Sequence, residues 1–179
     1  MVPLGGSSSR VVSLWRSSDS IRAATRSREA FVEVHVRTAR LTDLDPVTRL
    51  LARDDPDPMR ERGTVDYLRN LLFVPSATIA VAEHERRAVG AGVLAIRPSV
   101  RSGPFIGVID AMGVAPAQIL DGAERGRVAD ALVEYLATSA RNKGCTRVEV
   151  AEPLVSVEPS LWKRHRFASR GRTLGRDIG

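Results

Sequence analysis

Residues 106–150 read as strand, loop, helix and strand, an order that leaves few architectures open. Ile106 to Val114 is an apolar run of strand length. A loop from Ala115 to Ala123 leads to a helix whose inner face is marked at helical spacing by Val128, Ala131, Leu132, Tyr135, Leu136 and Ser139. Lys143-Gly144 supplies its stop, and Thr146 to Val150 reads as a second strand. Two strands joined through such a helix lie parallel in one sheet, with the helix crossing over one face.

The preceding text predicts antiparallel partners. Val32, Val34 and Val36 alternate with Glu33, His35 and Arg37, the period of a half-buried strand with His35 on its solvated side. Asp45 as cap, Pro46 at the first helical position and the stripe Val47, Leu50, Leu51 predict a helix, which Asp54-Asp55-Pro56-Asp57-Pro58 breaks. A second helix is expected from about Thr64, with Val65, Leu68, Leu71 and Leu72 inside. Thr78 to Glu83 and Ala88 to Ile96 form a hairpin about the polar turn His84 to Arg87. Gly90 and Gly92 within it point to a bulge or a close backbone approach. A loop is expected from Arg97 to Pro104. After Pro153 a short helix around Pro159 to Arg166 leads to a last extended piece from Phe167. Hairpin and crossover together give a mixed sheet with helices on its faces, an α/β (α+β) fold.

With 179 residues, the chain suits one domain at 33–179 and a tail at 1–32. That tail is rich in Ser and Arg, superficially like an organelle transit peptide, and is expected to be disordered because it offers little apolar surface to offset ordering entropy. Aromatics make up only 4%, so aliphatic residues must fill the core. The net charge of +6 favours acidic partners, a phosphorylated cofactor among them, although surplus arginine by itself would give the same balance. No motif supports specific nucleic-acid recognition, and no apolar run is long enough to span a membrane. The lone Cys145 lies between helix and strand patterns and reads as a small buried residue, in keeping with a reducing, cytoplasmic location. Three scattered histidines and one cysteine show no metal-ligand spacing.

Several segments, in this order, resemble the GCN5-related N-acetyltransferase (GNAT) family over about residues 34–171: His35 to Asp45, Val89-Gly90-Ala91-Gly92, Val108 to Pro116, Arg125 to Leu136, and Leu161-Trp162-Lys163-Arg164-His165-Arg166-Phe167. The resemblance implies a GNAT-like acyl-CoA N-acyltransferase fold with acetyl-CoA as co-substrate. The acceptor would be a small-molecule or protein amine, attacking the thioester directly. The backbone of Met112, Gly113 and Val114 would hold pantetheine, and Arg125, Gly126, Arg127, Val128 and Ala129 would cradle the pyrophosphate. The chemistry is independently stateable: a diphosphate needs N–H donors and positive charge, which a helix N-terminus and arginines supply. The amine needs a base, for which Asp110 is the first candidate, with Glu83 and His84 after it. The thiolate needs a proton donor. Trp162 stands where the family places a tyrosine, which leaves His165 as the candidate.

Two further departures bear on function. Arg127 occupies a glycine position of the phosphate loop and Glu124 its leading Gln/Arg position, while Gln118 to Gly122 form an insertion without an assigned role. Arg127, Glu124 and Trp162 motivate a second reading, a catalytically degenerate binding or regulatory module. Acidic residues at Asp54, Asp55 and Asp57 would suit a cationic acceptor, or simply a solvated loop. The oligomeric state is open, with a homodimer one option.

Overall fold

The computed structural model describes residues 33–52, 58–100 and 103–169. The expected tail at 1–32 and the acidic run Asp54, Asp55 and Asp57 lie outside these. In chain order the elements are β1 (His35–Thr38), a 3-10 turn (Leu41–Asp43), α1 (Leu44–Leu51), α2 (Pro58–Leu71), β2 (Ala77–His84), β3 (Arg87–Ser99), β4 (Gly103–Val114), α3 (Gly122–Asn142), β5 (Arg147–Val150), α4 (Leu154–Val157) and α5 (Pro159–Arg164). Five strands form one sheet in sequential order, β1-β2-β3-β4-β5. The first four are antiparallel and β5 runs parallel to β4, as the crossover demands. Among the described residues no helix is long and apolar enough to cross a membrane.

Both sheet faces are covered. Ile79, Val81, Ala91 and Val93 meet Leu44, Val47 and Leu68 of α1 and α2 on one side. On the other, Ala80, Ala82, Leu94 and Ile109 meet Val128, Leu132, Val133 and Leu136 of α3, together with Leu161 and Trp162. Gly90 and Gly92 admit α3: a Cβ at Gly90 would lie 2.6 Å from Val128 Cγ1, and one at Gly92 would lie 2.9 Å from Leu136 Cδ1. The close-approach reading of these glycines holds, and the β2–β3 register slip that leaves Val89 as an extra residue puts a bulge beside Gly90 as well.

Several boundaries differ from the sequence expectation. The hairpin β3–β4 extends through Arg97, Pro98, Ser99, Gly103 and Pro104, which were expected to be loop; cross-strand pairing down to Ser99 and Gly103 overrides the local turn composition. Pro58 opens α2 rather than ending a break, at a position where its missing N–H costs nothing. Asp45 lies inside the first turn of α1, and Asp43 precedes the helix. Phe167 to Ser169 pair with no strand among the described residues. The β2–β3 turn is the two-residue kind, with Glu85 and Arg86 at φ 48° and 64°, matching the strand twist.

α5 closes with a left-handed residue. Arg166 has φ 61°, its N–H donates to Lys163 O (3.0 Å), and the Phe167 N–H donates to Trp162 O (2.8 Å). The Trp162 and Phe167 rings meet edge to face at 5.4 Å. This is a Schellman cap with arginine where glycine is favoured. Arg166→Gly is expected to raise stability by about 1 kcal/mol, read from the denaturation midpoint.

Candidate active site

The site begins where the sheet divides. β5 pairs with β4 from Ile106↔Arg147 to Ile109↔Val150, and the Ala151 N–H donates a last bond to Ile109 O at 3.0 Å. From Ala111 to Gly113, β4 pairs with β3 alone among the described residues. The register slips at the same point: Leu94 faces Ile109 and Val93 faces Ala111, so Asp110 is the extra residue of a β-bulge. Bulges re-aim side chains, and Asp110 is exposed. A backbone ladder without a β5 partner, beginning at an exposed carboxylate, offers amide groups to an extended ligand and a base beside it.

α1 borders this stretch. A Cβ on Gly113 would run into the Leu50 carbonyl oxygen and come within 2.8 Å of its carbonyl carbon. Gly113 therefore serves helix packing whether or not a ligand passes its backbone.

At the N-terminus of α3 the chain uses its own groups. The Glu124 N–H donates to Asp121 Oδ1 (2.7 Å), and the Asp121 N–H donates to Glu124 Oε2 (2.8 Å). This capping box starts the helix at Gly122, and the Arg125 N–H already donates to Asp121 O at 2.9 Å. Arg125, Gly126, Arg127, Val128 and Ala129 thus lie within the helix, not in the turn before it. The insertion has a structural role after all: Leu120 is 2% exposed within the α3 core, and Asp121 is the cap. The Asp-x-x-Glu spacing at 121–124 is the signal that could have revealed it.

On α5, Trp162 is 5% exposed, and its indole N–H donates to Leu154 O at 2.8 Å, so it ties α5 to α4 from within the core. His165 lies against the outer side of α3. Its Nδ1 is 2.9 Å from Glu134 Oε1 and its Nε2 is 2.8 Å from Asp130 Oδ1, with Arg164 also donating to Asp130 at 2.8 Å. These residues and Arg166 line a surface groove. The structure thus brings His165 together with Asp130 and Glu134, which the sequence reading had not singled out.

Glu83 is held elsewhere. Arg37 donates to both oxygens of Asp43 (2.6 and 2.9 Å) and to Glu83 Oε1 (2.5 Å). Hydrogen bonding to Arg37, aided by the Arg40 N–H, holds the Asp43 carboxyl below the usual aspartate range, and the two carboxylates raise the Arg37 guanidinium. Desolvation raises the half-buried Cys145 thiol, in line with a packing role.

The sequence model of the acetyltransferase (GNAT) family matches residues 44–161. Among solved structures, an aminoglycoside N-acetyltransferase in complex with CoA aligns with a TM-score of 0.65 at 16% identity, over 82% of this chain and 95% of that one. A predicted acetyltransferase with acetyl-CoA from Clostridium acetobutylicum aligns at 0.65 and 15%, over 81% and 96%. A ribosomal-protein-alanine N-acetyltransferase from Brucella melitensis biovar Abortus 2308 aligns at 0.61 and 19%, over 82% and 100%. At such identities the likeness is one of fold. No curated protein sequence matches the chain significantly.

Proposed function

The chain belongs to the acetyltransferase (GNAT) family, and on that premise we propose that it transfers an acetyl group from acetyl-CoA to a primary amine by direct attack on the thioester. The observation that carries this reading is the fork after Ile109, where β4 leaves β5 and a bulge turns Asp110 outward. The donor, when bound, supplies an activated acyl group and a thiolate leaving group. The backbone of Met112 and its neighbours Gly113 and Val114 lines the pantetheine arm. Asp110 takes the proton from the attacking amine, directly or through water. A strand amide at the fork meets the oxygen on which charge develops. Because His165 commits both ring nitrogens to Asp130 and Glu134, this reading gives it the task of holding α5 on α3 and lets solvent protonate the thiolate.

The acceptor class stays broad. Its structural neighbours include an aminoglycoside N-acetyltransferase and a ribosomal-protein-alanine N-acetyltransferase, so both small-molecule and protein amines suit the fold. A cytoplasmic location follows our reading of the single cysteine.

Isothermal titration with acetyl-CoA at millimolar concentration is expected to show binding, and its absence removes the proposal. In an amine panel, Asp110→Asn is expected to lower kcat by about 100-fold with donor affinity retained. Donor binding without turnover on any amine would favour the binding-module alternative, to which the buried Trp162 at the family's tyrosine position lends support.

A further inference from the structure

Resting on the transferase reading, we infer that this chain recognises its acyl donor through the pantetheine arm and thioester, with little contribution from the diphosphate. A diphosphate docks on a helix N-terminus because the first-turn N–H groups lack partners inside the helix and the helix dipole is positive there. In α3 half of that supply is spent on the helix's own cap. The N–H groups of Asp121, Glu124 and Arg125 donate to Glu124 Oε2, Asp121 Oδ1 and Asp121 O. The amides of Gly126 to Ala129, where the family pattern would place the cradle, follow within the regular helix and donate to its own carbonyls. Gly122 and Ala123 are left as first-turn donors, and they lie in sequence between two carboxylates.

The charges lead to the same conclusion. Asp121 and Glu124 put two negative charges where the ligand would bring more. Arg125, three and four residues before the buried Val128 and Ala129, continues the inner line of α3 and offsets one of them. Arg127 lies three residues from both Glu124 and Asp130, so its charge is shared among carboxylates on that face of the helix and is not reserved for a ligand. This explains how arginine replaces a glycine there without disrupting the helix: the position no longer has to admit a phosphate to its backbone. A Cβ on Gly126 or Gly122 meets nothing within 4 Å, so neither glycine is required by packing. The fork of β4, by contrast, keeps its ladder for the pantetheine amides.

The consequence is a broader donor class. Acyl thioesters of pantetheine that lack the nucleotide should serve about as well as acetyl-CoA. The test is isothermal titration of the full chain with CoA and with pantetheine. The expected dissociation constants lie within about 5-fold of each other. Glu124→Gln keeps the cap, since glutamine accepts the same bond, but removes its charge. It should tighten CoA by roughly 3- to 10-fold and leave pantetheine unchanged. CoA binding roughly 50-fold or more tighter than pantetheine overturns this inference and leaves the transferase reading standing; no response of CoA to Glu124→Gln overturns the assignment of the weakness to that carboxylate. If neither compound binds at millimolar concentration, both fall.

Discussion

Gly113→Ala is expected to lower the unfolding free energy by about 3 kcal/mol or more. The added methyl would overlap the Leu50 carbonyl, a backbone group inside the last turn of α1 that no rotamer change can move. Either α1 lifts from the sheet, exposing Val47 and its neighbours, or β4 bends away from β3. The matched control is Gly126→Ala, where the new methyl meets nothing within 4 Å. In mid-helix it should gain about 1 kcal/mol. Urea denaturation of both variants reads the contrast directly. A Gly113→Ala protein within about 0.5 kcal/mol of the parent would show that α1 is not seated on β4 as described.

Asp43→Asn is expected to cost about 2 to 3 kcal/mol at neutral pH and to flatten the acid limb of the stability curve. Asp43 receives both arms of Arg37 and the Arg40 N–H while its side chain is only 12% exposed. The Arg37 side chain, 20% exposed, would keep Glu83 as its one carboxylate partner in this cluster. Because the folded carboxyl titrates below the unfolded one, the unfolded chain binds more protons in that interval. The stabilisation is therefore complete above the ordinary aspartate pKa and disappears as pH falls below about 4, through the folded value. Denaturation midpoints from pH 7 to pH 3 should fall steeply in the parent and more gently in the variant. Equal slopes would remove Asp43 as the source of that dependence.

Much of the fold was legible because it follows from periodicity and chain connectivity. Val128, Leu132 and Leu136 fixed one face of α3, Gly144 its end, and the flanking strands could only be parallel. Gly90 and Gly92 announced a close approach without saying to what; only the packed structure shows Val128 and Leu136 against them. The extended hairpin through Arg97 and Pro104 was hidden because cross-strand bonds outweigh local loop composition. The paired role of Glu83 was hidden too, since its partner Arg37 is 46 residues away.

The candidate site divides in the same way. The sequence by itself determined that β4 would carry Asp110 beside Met112 and Gly113, since strand order and position are local and topological matters. Only the tertiary structure decided that the pairing of β5 with β4 stops at Ile109 and Val150, that Asp110 is the bulged residue, and that Trp162 is committed to the core and His165 to two carboxylates. The register between strands and the partners of long polar side chains depend on contacts between residues far apart in the chain, and no window of sequence holds both ends of such a contact.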